Sequence, residues 1–240
     1  MRTLLAAFMA MLLVFAIAPV SRAGDETAKN AEASANDESE RMTSSTATLK
    51  EVLSIPEDGV PQTMLDNAAA IVVIPGLIKA GFIAGVKHGN GVLSTRGKAG
   101  WTHPTFVTMT GGSVGWQAGV ESTDLVLVFM SEKNVKALLN GEFTLGADAS
   151  VAVGPVGRQA AAGTNLSVKA EIYAYSRSRG VFVGIAIDGS HLGIDNDANV
   201  RYYGEGTTAN ALLFGEHAKA PEGAEAFKVT LNNLTKKKSS

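Results

Sequence analysis

The sequence predicts an α+β fold, in which a single domain has a mainly antiparallel, glycine-rich β-sheet, barrel-like or sandwich-like, flanked by short helices. Three observations predict it. Apolar and β-branched alternation recurs between residues 70 and 187 without regular helical crossovers, as in an antiparallel sheet. The 26 glycines and the low aromatic content of 6% suit strands with close backbone approaches. Helical periodicity is confined to the segments before residue 70, after Ser131 and after residue 204.

Individual elements follow from local patterns. Residues 70–74 are β-branched and precede a Pro-Gly pair, which predicts a strand that ends there. Residues 88–91 (His-Gly-Asn-Gly) have the composition of a tight hairpin turn. Residues 125–130 are apolar at every position, which predicts a central strand covered on both faces. Ser131 is placed to cap a helix that ends near Asn140, and Pro221 to begin a C-terminal one.

The beginning of the chain has the features of a secretory signal. Arg2 precedes an uncharged apolar run over residues 4–18, and small residues stand before a cleavage point after Ala23. We therefore expect an exported protein, periplasmic or at the cell surface or extracellular after cleavage. The predicted organisation is a signal peptide over residues 1–23, a flexible acidic lead-in over 24–45, the domain over 46–235, and a basic tail over 236–240.

Composition excludes several classes of function. The absence of cysteine rules out disulfides, thiolate metal sites and a cysteine nucleophile. The formal charge of −2 leaves no overall positive field for nucleic acid, so we expect no nucleic-acid partner. The four histidines lie far apart and show no zinc-binding spacing.

Two short motifs resemble functional sites. Residues 111–115 (Gly-Gly-Ser-Val-Gly) match the nucleophile-elbow pattern around Ser113, but a further glycine and strand-forming residues follow where a helix should begin. Asp195 opens a run of alternating oxygen donors, but the glycine and glutamate of a calcium loop are missing. A glycine-rich strand and an acidic turn are the better interpretations, so no catalytic residue, metal or cofactor is expected.

Basic residues cluster around the predicted hairpin. Lys79, Lys87 and Lys98 lie near Trp101, and cations beside an aromatic ring can hold an anionic lipid headgroup at an interface. A solvated hairpin edge, on which lysines discourage pairing between sheets, explains the cluster equally well.

An ordered set of phrases along the chain resembles the SYLF domain family, the lipid-binding domain also called an actin-binding domain in its fungal members. The set spans about residues 46–210. The phrases lie at residues 70–82, 89–93, 101–104, 110–115, 154–158, 175–184 and 202–204.

The resemblance implies a single antiparallel-sheet domain without catalytic activity or cofactor, which binds phosphoinositide or other anionic lipids. The signal peptide and acidic lead-in are similar to those of exported bacterial members. We therefore expect a non-enzymatic lipid-binding module of the cell envelope that recognises anionic headgroups. Its expected lipid-binding residues are Lys79, Lys87, Lys98, Trp101 and Arg158, and the basic tail is expected to add attraction. A structural or protein-interaction module with an envelope protein partner is the alternative, and a hydrolase through Ser113 is the third hypothesis.

Overall fold

The computed structural model of the 240-residue chain describes residues 21–53, 60–81, 84–114, 119–141, 143–154, 170–178, 180–215 and 220–236. The helices within these ranges are α1 (Ser21–Leu53), α2 (Gln62–Asn67), α3 (Glu132–Leu139), α4 (Asn196–Tyr203), α5 (Ala209–Phe214) and α6 (Glu222–Leu234). The strands are β1 (Ala70–Gly81), β2 (Ala84–Gly97), β3 (Gly100–Trp101), β4 (Thr105–Val114), β5 (Gly119–Phe129), β6 (Phe143–Thr144), β7 (Val151–Val153), β8 (Ile172–Ser178), β9 (Val181–Val183) and β10 (His191–Ile194).

The strands form one curled sheet with the order β6-β10-β4-β2-β1-β5-β8-β7, while β3 pairs with β2 and β9 with β8. Every described pair of strands is antiparallel except β7 with β8. The predicted fold class, an α+β domain with a mainly antiparallel sheet and flanking helices, is confirmed. The long central strands β1, β2, β4 and β5 carry the sheet, and the outer strands are short.

Both faces of the central sheet are covered by helices. On one face, here called the α1 face, alternate sheet residues such as Ile71 and Val128 pack with Leu49 of α1 and Phe227 of α6. On the other, the α3 face, the intervening residues pack with helices α3 and α5. Because residues 125–129 are buried at every position, β5 is the central covered strand that its continuous apolar run predicts.

The helix boundaries follow from recognisable caps. The backbone N–H of Lys133 donates to Oγ of Ser131 at 3.2 Å, and α3 ends before a positive φ of 129° at Gly141. Helix α6 begins directly after Pro221. The helices predicted at these places are confirmed.

A one-residue bulge interrupts β1. Val73 pairs with Val92, but after the bulge Ile78 pairs with His88, so β1 carries one more residue than β2 over this stretch. The pairing with β5 shifts in the same way. Gly76 accommodates the bulge with a φ of 58°, and its N–H donates to Oδ1 of Asp124 at 2.8 Å. The bulge exchanges the faces to which all later β1 side chains point.

The predicted hairpin turn over residues 88–91 is wrong. These residues lie inside β2, and the antiparallel pairing of β1 with β2 already begins at Gly81 and Gly85. The glycines serve close packing instead, because a Cβ at Gly91 would lie 2.0 Å from the carbonyl oxygen of Val73, and a Cβ at Gly89 would lie 2.6 Å from a methyl of Ile74. Composition alone does not distinguish glycines that form a turn from glycines that allow a neighbouring strand to pack closely, which is why the turn prediction was wrong.

Residues 24–45, predicted to be a flexible lead-in, belong to α1 in the structure. Glu38 is buried and accepts hydrogen bonds from Nε and Nη2 of Arg201 at 3.0 and 2.7 Å. Arg41 forms an ion pair with Asp195 at 3.0 Å. These partners on and beside α4 are distant in sequence, so the low apolar content of the segment gave no indication of them. Residues 1–20 lie outside the described residues, and the signal peptide stays a prediction.

The fold can be tested at Gly91. Replacement by alanine would push a methyl group into the backbone of β1, so we expect Gly91→Ala to lower the free energy of unfolding by at least about 3 kcal/mol. Gly112→Ala on β4 is the control, because a Cβ there meets nothing within 4 Å. Urea unfolding measures both, and equal stability of the two variants would contradict the close packing.

The attachment of α1 gives a second test. Arg201→Met leaves the Glu38 carboxylate buried without its cation, and we expect the free energy of unfolding to fall by about 3 kcal/mol. Lys136→Met removes the exposed ion pair of Lys136 with Glu132 and is expected to cost less than about 1 kcal/mol. Urea unfolding of both variants checks this, and a similarly small loss for Arg201→Met would show that α1 does not depend on this pair.

Candidate functional site

The central strands extend beyond the outer strands at one end of the sheet. Partners on β10 reach only Thr110 of β4, and partners on β8 reach only Asp124 of β5. We call the projecting part the distal sheet end. It comprises residues 77–81 of β1, 84–89 of β2, 111–114 of β4 and 119–123 of β5.

Two of the expected lipid-binding residues meet at the distal sheet end. Lys79 pairs directly with Lys87 across β1 and β2, and on its other side with Glu121 of β5. Because the bulge shifts β1 by one residue, these three side chains share the α3 face of the sheet. The chain between β9 and β10 passes over them, and the carbonyl oxygen of Ala186 accepts a hydrogen bond from Nζ of Lys87 at 2.7 Å.

A cavity of about 270 Å³ lies between this connection and the sheet. The basic and acidic side chains that line it are Lys79, Lys87, Glu121 and Asp188. Lys87 is only 5% exposed. Burial lowers the pKa of its ammonium group, as does the like charge of Lys79, whereas Asp188 acts in the opposite direction.

The opposite face of the same strands is apolar and open. Val86, Ala80 and Val120 form one row across β2, β1 and β5, with Ile78 in the neighbouring row. The exposed fractions of Ile78, Val86 and Val120 are 47%, 65% and 77%. The distal sheet end is therefore polar and charged on one face and apolar on the other.

A smaller cavity of about 170 Å³ adjoins the first, since both are lined by Val183 and Gly184. Its other walls include Val153, Phe182 and Tyr175. Burial raises the pKa of Tyr175, and its buried hydroxyl has no hydrogen-bond partner in the structure. The pair of cavities thus places a mainly apolar space beside a charged one.

The other expected residues lie elsewhere. Lys98 is exposed in the turn after β2, and about 36 Å of extended chain, at about 3.3 Å per residue, separates it from Lys87. Trp101 is 2% exposed, and its Nε1–H donates to Oγ1 of Thr235 at 2.7 Å. Arg158 lies outside the described residues. The structure thus brings together Lys79 and Lys87 and separates both from Lys98 and Trp101.

Arg96 completes the surroundings of Trp101. Its guanidinium lies 4.5 Å from the centre of the indole ring and donates to the carbonyl oxygens of Leu65 and Ala68. Burial lowers the pKa of Arg96. Trp101 therefore joins β3 to α6 and the region of α2, which is a structural role.

Glu121 and Asp188 were not among the residues expected from the sequence. Glu121 is recognisable as a neighbour of Lys79 only when the bulge is known, and Asp188 reaches the cavity through the path of the β9–β10 connection. The local sequence carries no signal for either.

The other motifs have structural roles. Ser113 lies within β4 and pairs with Gly85, and the strand continues to Val114, where a nucleophile elbow requires a helix to begin. Asp195 caps α4, where its carboxylate accepts from the N–H of Ala198 at 3.0 Å. Across the part of the chain that the structure describes, no group of three or more histidine, aspartate or glutamate side chains is arranged to hold a metal.

The structural role of Trp101 can be tested by Trp101→Phe. Loss of the hydrogen bond to Thr235 and of packing area should lower the free energy of unfolding by about 1 to 3 kcal/mol. The expected binding to lipid vesicles should not change, because the Trp101 side chain lies away from the distal sheet end. Co-sedimentation with vesicles and urea unfolding measure the two effects, and weaker vesicle binding by a folded variant would place Trp101 at the lipid interface.

Comparison with known proteins gives the family. Residues 110–234 match the family described as "Ysc84: Las17-binding protein actin regulator". "LAS seventeen-binding protein 3" of Saccharomyces cerevisiae is 34% identical over 174 residues, which cover 71% of this chain and 38% of that protein. "SH3 domain-containing YSC84-like protein 1" of Xenopus laevis is 33% identical over 185 residues, which cover 76% of this chain and 55% of that protein. The chain thus spans about two fifths to one half of the length of these relatives. It belongs to the Ysc84 family, the family of the SYLF domain.

Proposed function

We propose that the chain is a non-enzymatic lipid-binding module of the cell envelope, and that the distal sheet end binds the anionic phosphate of a lipid headgroup. One observation carries the proposal: Lys79 and Lys87 are direct cross-strand partners that line the same cavity. Two lysines side by side repel each other, and Lys87 also loses hydration through burial. A bound phosphate would offset both effects.

The apolar face of the distal sheet end supports a membrane as the location of this headgroup. Exposed aliphatic side chains at the projecting end of a sheet can enter the outer part of a bilayer without losing hydrogen bonds. Ile78, Val86 and Val120 provide such a surface on the strands that carry the lysines. The adjoining cavity with Phe182 and Tyr175 offers space for the apolar part of a lipid.

Export is the second part of the proposal. Residues 1–23 have the composition of a signal peptide, which would bring the mature protein to the periplasm or the cell surface.

The basic tail begins with Lys236, which lines a separate cavity with Arg96 and Asp66. Among the described residues, no helix combines the length and apolar character needed to cross a bilayer.

A protein-interaction module is the second candidate. The family description and the name of one Saccharomyces cerevisiae relative, LAS seventeen-binding protein 3, both refer to binding of a protein, Las17. The exposed apolar row of Val86, Ala80 and Val120 could contact a protein of the envelope in the same way as a bilayer. Co-purification with an envelope protein after detergent has removed the lipid would favour this candidate.

The lipid-binding proposal is tested by Lys79→Gln combined with Lys87→Gln. Glutamine keeps a hydrogen-bond donor and removes the charge. With about 1 kcal/mol of attraction per basic residue at an anionic surface, we expect binding to anionic vesicles to fall by at least about tenfold. Co-sedimentation of the purified mature protein with vesicles at low salt measures the effect.

The matched control is Lys98→Gln combined with Lys133→Gln. It removes the same charge at exposed positions away from the distal sheet end. We expect this control to bind nearly as well as the unchanged protein. Equal losses in the two double variants would show that only net charge matters, and no loss in either would remove the lysine pair as a lipid site.

A further inference from the structure

The cavity at the distal sheet end contains as many acidic as basic side chains. Lys87, Lys79 and Glu121 form one row across β2, β1 and β5, and Asp188 contributes a second carboxyl group from the β9–β10 connection. No ion pair joins these four described side chains to one another. Their charged groups therefore border the cavity without neutralising one another through direct contact.

This charge pattern disfavours a purely anionic ligand. A phosphate drawn to Lys79 and Lys87 would have Glu121 and Asp188 as neighbours of like charge. A ligand that carries a cation beside its phosphate turns this repulsion into attraction, because the carboxylates then accept hydrogen bonds from the cation.

We propose that the cavity recognises phosphoethanolamine, the headgroup of phosphatidylethanolamine, with its phosphate at Lys79 and Lys87 and its primary amine at Glu121 and Asp188. This inference rests on the proposed lipid-binding function and names the headgroup. The cavity volume of about 270 Å³ lies near the lower limit for ligand pockets, about 300 Å³, and suits a headgroup better than a complete lipid.

The lining also distinguishes a primary amine from choline. A quaternary ammonium group has no N–H to donate and is usually held by aromatic rings. No aromatic side chain is among the described residues that line this cavity. Its carboxyl groups instead match the N–H donors of a primary amine.

The test compares three vesicles: phosphatidylcholine alone, phosphatidylcholine with phosphatidylethanolamine, and phosphatidylcholine with phosphatidylglycerol, which is anionic and has no amine. The purified mature protein and the double variant Glu121→Gln with Asp188→Asn are co-sedimented with each. We expect the unchanged protein to prefer the phosphatidylethanolamine vesicles. The double variant should lose about tenfold in binding to them, while its binding to phosphatidylglycerol vesicles should rise.

The control double variant is Asp37→Asn with Glu205→Gln, which makes the same charge change at exposed positions and should keep the preference. Urea unfolding verifies that both double variants remain folded. Titration with soluble O-phosphoethanolamine distinguishes the sources of the ligand: binding in solution assigns recognition to the headgroup alone, and binding only to vesicles requires the membrane. Either result agrees with the inference, provided that the double variant Glu121→Gln with Asp188→Asn binds the same ligand more weakly than the unchanged protein.

Unchanged or stronger binding of the carboxyl variant to phosphatidylethanolamine vesicles would overturn the inference. The proposed lipid-binding function would survive that result if the double variant Lys79→Gln with Lys87→Gln still bound phosphatidylglycerol vesicles more weakly than the unchanged protein. If the lysine variant bound every vesicle as well as the unchanged protein, both proposals would fail.

Discussion

The bulge in β1 at Gly76 is the constraint on which the arrangement of the distal sheet end depends. Regular alternation from Ile74 onward would point Ile78 to the α3 face and Lys79 to the α1 face, but the extra residue exchanges them. Lys79 then lies beside Lys87 in the cavity, and Ile78 joins the exposed apolar surface. The glycines at 89 and 91 make this geometry possible, because side chains there would collide with β1.

The two ends of β2 have different roles. At one end, Trp101 and Arg96 tie the strands to α6 and to the region of α2 through hydrogen bonds and a cation–π contact. At the other end, Lys87 is buried beside Lys79, and burial and this like charge both lower the pKa of its ammonium group. Buried groups whose pKa is shifted by a neighbouring like charge are typical of binding sites, where a ligand supplies the missing interactions.

Much of the fold could be predicted because its signals are local. The cap at Ser131, the continuous apolar run in β5 and the helix after Pro221 depend only on neighbouring residues. The attachment of α1 could not be predicted, since Glu38 finds its cation at Arg201, on the distant helix α4.

The candidate site was only half predictable for the same reason. The sequence indicates Lys79 and Lys87 as basic residues near a predicted turn, and in the structure they are cross-strand partners. Trp101 has the same signature of an aromatic near basic residues, yet it is buried against Thr235. Glu121 and Asp188 become partners of the lysines only through the bulge and the path of the β9–β10 connection.

Hydrogen–deuterium exchange of residues 24–240, with and without vesicles that contain phosphatidylethanolamine, tests the proposed location of lipid binding most directly. We expect vesicles to slow exchange in the distal sheet end and in residues 183–188, with little change around Lys98, Trp101 and α6. Slower exchange around Trp101 and α6, with none in the distal sheet end, would contradict the assignment of the lipid site to Lys79 and Lys87.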